Sequence, residues 1–227
     1  EITPFVHAWD EAGRFPRMLY AAAAARGILG VGFEERDGGT PADVFFRLVL
    51  AEEFARCGSG GVCASLNSHL IGLPPVALAG SDALRARVIP PVLRGERIAA
   101  LAVTEPGGGS DVAAVRTRAV RDGDHYIVEG EKTFITSGMR ADHFTVAVRT
   151  DPASRGALGI SVLLIDGDTP GLTRTELEKM GWWASDTAHL RFDRCRVPVT
   201  HLVGEEHQGF KIIMNNFNTE RLFMAAQ

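Results

Sequence analysis

The sequence is poor in the residues that would point to several common classes of protein. Its 227 residues include three cysteines and two tyrosines, and neither a basic run nor a basic tail. Cys57, Cys63 and Cys195 are odd in number and none is spaced CxxC, which argues against a disulfide framework and a zinc knuckle and fits a reducing compartment. The net charge of -4 and pI near 6.0 leave no electrostatic basis for nonspecific binding to nucleic acid or an anionic membrane. The most apolar stretch, Leu70 to Ala79, is too short to span a bilayer and contains Pro74 and Pro75. The opening EITPFVHAWDEAGRFP has neither the basic nor the apolar region of a secretory signal, so a cytoplasmic protein is expected. The seven histidines show no HxxxH or HxxEH spacing, so His69 and His189 read as core or surface residues and no metal is expected. GxGxxG with a following βαβ unit is absent, as are internal repeats.

What is present is enough apolar residue, 45%, to bury a sizeable core in one large domain or two modest ones. Residues 1–97 read as helices. Pro16 opens an alanine-rich run that stops at Gly27. Thr40 is placed to cap a helix with Pro41 in its first turn, Phe45, Leu48, Val49 and Glu52 on one face, and Gly58 as its stop. Ser81 and Asp82 open another helix through Leu84 and Val88, expected to end or kink at Pro90 and Pro91. Over residues 98–203 the apolar period becomes two, in IAALAVT, VRTRAVRD, HYIVEG, KTFIT, HFTVAVRT, ISVLLID and AHLRFDR. Asp122-Gly123 signals a hairpin and Pro170-Gly171 a turn, so an antiparallel barrel or sandwich is expected. Residues 204–227 return to a helical pattern with Ile212, Ile213, Phe217 and Met224 on its apolar face. That run has no C-cap, which suggests further helices in the intact protein.

The segment LAVTEPGGGSDVAA, Leu101 to Ala114, runs a strand into three consecutive glycines. Such a loop suits backbone N–H groups that must approach a ligand closely, with Thr104 and Ser110 as further donors. A flexible hairpin explains the spacing equally well. Glu105 and Asp111 invite an acid–base pair, but acids beside a glycine-rich turn more often bond backbone N–H groups and fix the loop. Trp182 and Trp183 are read as packing residues.

The string AVTEPGGGSD resembles the first signature of the acyl-CoA dehydrogenase family. EGEKTFITSG, KMGWWASDTAHLRFDRCRVP and GEEHQGFKIIMNNFNTERL resemble later family segments in the same order. DGGTPADVFFRLVLAEEFAR and SDALRARVIPPVLRGE extend the resemblance through the helical opening, and the family's C-terminal helical domain is missing. The fold implied is α+β: an N-terminal α-helical domain (1–97), an antiparallel β-barrel domain (98–203) and the beginning of a C-terminal helical bundle (204–227). The cofactor implied is FAD. On that resemblance Leu101, Val103 and Thr104 line the isoalloxazine, Gly109 belongs to the loop that approaches it, and Ser110 sits at the flavin and substrate side. Phe134 stands where the family usually has a tryptophan packed on the flavin, which keeps an apolar wall but removes an N–H donor. Ile135 shares that segment, and Thr136 takes the place of a residue that hydrogen-bonds near flavin N5.

The reaction implied is α,β-desaturation of an acyl-CoA thioester, in which a carboxylate removes the α-proton as hydride leaves the β-carbon for the flavin. Most members carry that glutamate in the C-terminal domain, whereas the isovaleryl and long-chain subgroups carry it just before an arginine, in a segment like ERL. Glu220 matches that position; a solvated helix carboxylate is the plain alternative. Arg221 matches a helix arginine near the substrate entrance, and Asn218 a group contacting the CoA portion. The resemblance further implies an electron-transferring flavoprotein as acceptor and a homo-oligomer, tetramer or dimer. An acyl-CoA oxidase or flavin monooxygenase on the same fold, or a non-catalytic FAD or acyl-CoA binding scaffold, are the alternatives.

Overall fold

The computed structural model describes residues 2–154 and 156–227. Helices come first: α1 (Val6–Glu11), α2 (Met18–Ala25), α3 (Val44–Ala55), α4 (Gly60–Leu66), α5 (His69–Gly72), α6 (Pro74–Ala79) and α7 (Asp82–Leu93). Strands follow: β1 (Ala99–Ala102), β2 (Arg118–Asp122), β3 (His125–Thr136), β4 (His143–Arg149), β5 (Ile160–Asp166), β6 (Leu172–Glu176), β7 (Thr187–Pro198) and β8 (Leu202–Val203). The last helix is α8 (Gly209–Ala226). No single helix among the described residues is long and apolar enough to cross a membrane; only the bent pair of α4 with α5 and α6 passes on length and composition.

Local signals in the sequence set most of these boundaries. Gly27, with φ +72, ends the α2 turn, and the Ser81 hydroxyl accepts from the Leu84 N–H to cap α7. Two boundaries differ from those expected. The α3 cap is Asp43, whose carboxylate accepts from the N–H groups of Phe45 and Phe46, so Thr40 and Pro41 lie outside the helix. The helix α7 also runs through Pro90 and Pro91 to Leu93, because Ile89, Val92 and Leu93 are buried and their packing offsets the lost backbone bonds.

The strands join in the order β6-β7-β3-β2-β4-β5-β8, with β1 pairing β4 in parallel. The two ends, β6 and β8, do not pair, so the sheet is open rather than the closed antiparallel barrel expected. The single β2–β4 pairing is also parallel. The hairpin at Asp122-Gly123 forms as its sequence requires, with Gly123 at φ +62 between β2 and β3. HYIVEG and KTFIT make one strand, β3, broken by register shifts between Val128 and Gly130 and between Lys132 and Ile135.

Both faces of β4 and β5 are covered, which is why they read as nearly continuous apolar runs. Phe144, Val146, Val148, Leu163 and Ile165 pack in one cluster with Phe54, Val62 and Leu66. Ala147, Ile160, Val162 and Leu164 face a second, built from Val76, Val88, Ile89, Ile212 and Ile213. The predicted α8 face holds at Ile212 and Ile213, but Met224 is exposed and Phe223 is buried instead. The α3 stripe departs further: Phe45 and Val49 are 70% and 60% exposed, while Ala51 and Phe54 turn inward.

Candidate active site

The glycine-rich loop is anchored from beneath by a buried ion pair. Lys132, wholly buried on β3, donates from Nζ to the Val103 carbonyl (2.9 Å) and to Glu105 Oε1 (2.8 Å). Glu105 also accepts from the N–H groups of Arg116 and Thr117, each at 2.8 Å, and from the Thr117 hydroxyl at 2.7 Å. Burial raises the Glu105 carboxyl, but the Lys132 charge and this set of donors outweigh it and hold it below its ordinary value. Lys132 has only two acceptors to offset desolvation, so its ammonium falls to about 8. Asp111 accepts from the Ala113 N–H at 3.1 Å. Both loop acids are therefore occupied in holding backbone, as their setting in the sequence suggested.

The Thr133 N–H donates to the Thr104 carbonyl at 2.9 Å, which sets the loop beside the end of β3. The bulge between Lys132 and Ile135 then decides which side chains face outward. Phe134 takes φ +58 and presents its ring to the exterior, 71% exposed, although a strand aromatic is ordinarily buried. Ile135 and Val103 are both buried in the core. Leu101 is half-buried against the second core cluster. Gly109 and Ser110 are exposed on the loop, and a Cβ at Gly109 would meet Thr104 Cγ2 at 2.9 Å.

A cavity of about 140 Å³ opens between the end of β3 and α8, and both Thr136 and Glu220 line it. Leu70, Ile71 and Phe223 supply apolar wall; Arg47 and Asn67 enter from α3 and the α4–α5 junction. Arg47 is held by the Gly32 carbonyl at 2.7 Å and lies over the Phe33 ring at 5.4 Å. Asn67 donates to the Cys63 carbonyl at 3.0 Å, and its buried Oδ1 has no hydrogen-bond partner among the described residues. Burial raises the Glu220 carboxyl above its ordinary value against the lowering effect of Arg221.

Other expected positions lie outside this cavity. Arg221 is exposed with its guanidinium 5.7 Å from the Phe217 ring, and Asn218 is exposed. His69 is a core histidine, bonded to the carbonyls of Leu66 (3.2 Å) and Leu29 (3.0 Å) and lowered by burial to about 4. Trp182, read from sequence as packing, is 52% exposed and lines the cavity. Its place in the matched KMGWWASDTAH segment was the available signal; Asn67 had none beyond being polar within an apolar run.

The acyl-CoA dehydrogenase N-terminal domain matches residues 1–96 and the middle domain of the same family matches residues 100–195. The chain belongs to the acyl-CoA dehydrogenase family. It is 38% identical to the mitochondrial isobutyryl-CoA dehydrogenase of Dictyostelium discoideum, over 100% of this chain and 54% of that protein. It is 37% identical to the long-chain specific acyl-CoA dehydrogenase of Sus scrofa, over 99% of this chain and 53% of that one. The acyl-CoA dehydrogenase structure from Geobacillus kaustophilus superposes with a TM-score of 0.94 at 40% identity, covering 99% of this chain and 59% of that one. The Bacillus anthracis structure, a complex with FAD, superposes with a TM-score of 0.90 at 30% identity, covering 100% and 39%. This chain therefore spans about half the length of the curated relatives it matches. FAD is the cofactor of the family.

Proposed function

We propose that this chain is the N-terminal and middle part of an FAD-dependent acyl-CoA dehydrogenase that desaturates a thioester with Glu220 as base. The observation that carries the reading is that Thr136 and Glu220 line one cavity, so a group beside the sheet wall and a desolvated carboxylate on α8 bracket the same space. The wall fits a flavin. Phe134 exposes an apolar ring beside the loop, and Gly109 leaves room against Thr104 that a side chain would fill. FAD, when bound, accepts the hydride released from the substrate β-carbon.

The chain's own residues supply the following roles. Glu220 takes the α-proton onto its carboxylate, and burial of that carboxyl tunes its proton affinity toward the task. Thr104, Phe134 and Thr136 form the cofactor side, and Ser110, Asn218 and Arg221 complete the approach for the thioester and CoA portion with groups outside this chain. Domain limits at 97 and 203, a cytoplasmic homo-oligomer, tetramer or dimer, and transfer of electrons to an electron-transferring flavoprotein belong to the same reading. The choice of Glu220 as the base rests on the resemblance of the ERL segment to that of the isovaleryl and long-chain subgroups.

The test is the ultraviolet–visible spectrum of the purified full-length protein before and after a panel of acyl-CoAs. A flavin spectrum that bleaches with substrate supports the reading, and a protein that is colourless and cannot be reconstituted with FAD overturns it. Peroxide formed in step with bleaching would reassign the enzyme as an oxidase; bound flavin that no acyl-CoA bleaches would make it a scaffold.

A further inference from the structure

We propose that Trp182 closes the far end of the acyl cavity and sets the longest acyl chain that the cavity accepts. The inference rests on reading that cavity as the acyl site. A second cavity of about 200 Å³ shares Cys63, Trp182, Met224 and Gln227 with it and is otherwise lined by residues of the α3–α4 turn, including Ala55 and Gly60. Thr136 and Glu220 line the first cavity and not the second. The four shared residues are therefore where the cavity that holds the reacting groups adjoins a further space of comparable size. Trp182 is the largest of the four.

Its position is built rather than incidental. Trp182 takes φ +55, a conformation uncommon for any residue but glycine and strained for a bulky one. Its carbonyl is fixed by the Lys179 ammonium at 2.7 Å and the Ser185 N–H at 2.9 Å. The neighbouring Trp183 indole N–H donates to the Lys179 carbonyl at 2.9 Å and braces the same turn. The indole rests on a seat that glycine makes possible: a Cβ at Gly60 would run into the Trp182 ring, and one at Gly61 would come within 3.0 Å of the Trp182 backbone. Backbone strain, two anchoring bonds and two side-chain-free positions converge on holding one indole across the passage between the cavities.

The occupant that this geometry selects is a straight acyl thioester whose tail stops short of the indole. Replacing the indole by a methyl group joins the two spaces. Each methylene that the longer tail then buries strengthens binding about fourfold, from about 0.8 kcal/mol per CH₂.

Calorimetric titration of the full-length, FAD-loaded protein with straight-chain acyl-CoAs of increasing length reads this without turnover. In the wild type, affinity should climb with chain length and then stop or fall. In Trp182→Ala it should keep climbing past that length by about fourfold per carbon, with Trp182→Phe in between. FAD content equal to wild type shows that the variants are folded, and the Phe variant keeps the test usable should the Ala variant lose flavin. Superimposable length profiles for the three proteins, or no acyl-CoA binding by the wild type at any length, overturn the proposal. Flavin bleaching reads the activity separately: a length limit that moves with residue 182 in a protein that no acyl-CoA bleaches leaves the gate standing and removes the dehydrogenase reading.

Discussion

On the sheet side of the cavity Lys132 is buried against two acceptors and Glu105 against four donors, whereas on the helical side Glu220 forms no hydrogen bond or ion pair among the described residues. All three groups are displaced from ordinary proton affinity, but for different reasons. Glu105 is lowered because partners outweigh burial, and those partners leave its carboxylate nothing to do but hold the loop. Glu220 is raised because burial is opposed only by the adjacent Arg221 charge, which leaves its oxygens available to a substrate. A perturbed carboxyl is thus a candidate for chemistry when its perturbation comes from desolvation with lone pairs to spare.

The sharpest way to break this contrast is to neutralise each carboxylate. Glu220→Gln in the full-length protein should slow flavin bleaching by roughly 10²–10⁴-fold, the span for losing a general base, with FAD retained. Unchanged bleaching would assign the base elsewhere. The same contrast fixes a pH dependence. A base must be unprotonated, so the wild-type rate should rise with pH through a midpoint above the ordinary carboxylate value of about 4.3. Because the folded carboxyl holds its proton more tightly than the unfolded one, Glu220 also makes stability decline as pH rises from the ordinary value through the raised one. A midpoint at or below about 4.3 would remove desolvation as the cause.

On the sheet side the expected loss is in folding rather than rate. Lys132→Met strands the Glu105 carboxylate without its cation and should cost about 3–5 kcal/mol in denaturant titration, whereas adding Glu105→Gln should restore part of it. Equal stability of the single and double variants would mean that the two groups are not energetically paired. For the wild type, burial lowers Lys132 to about 8, below its unfolded value. Between those two values the unfolded chain holds the extra proton, so this residue makes stability rise with pH there. Lys132→Met should abolish that rise.

How much of this was legible in the sequence depended on distance along the chain. The α2 stop at Gly27, the Ser81 cap and the Asp122-Gly123 hairpin rest on neighbouring residues and were readable. So were β4 and β5, whose apolar runs record cover on both faces. The polar edge strand β6 and the two-residue β8 carry too little periodicity to be seen, and sheet closure has no local signal at all. The α3 face of Phe45, Leu48, Val49 and Glu52 has a helical period in the sequence, but period alone does not say what a face meets. The Lys132–Glu105 pair spans 27 residues, and the bulge that turns Phe134 outward depends on register against β7. The family resemblance supplied Thr136 and Glu220; the fold supplied their meeting in one cavity.

Smaller changes sharpen the account of the cofactor wall. Gly109→Val brings a branched side chain against Thr104, where even a Cβ lies 2.9 Å from Cγ2, so the loop must shift and FAD should be lost on gel filtration while the helical domain stays folded. Wild-type occupancy would show that the loop tolerates the shift and does not approach the cofactor closely. Thr136→Val should act least, because it keeps the shape of a half-buried side chain that lines the cavity and removes only a hydroxyl. If that hydroxyl serves the flavin, the visible spectrum should shift and reduction slow by about tenfold, the worth of one hydrogen bond of about 1.4 kcal/mol, with FAD content unchanged. The comparison of these two variants separates a wall that merely admits the cofactor from one that also tunes it. Loss of FAD in the first with an unaltered spectrum and rate in the second would leave Thr136 a lining residue and confine the electronic influence of the wall to other groups.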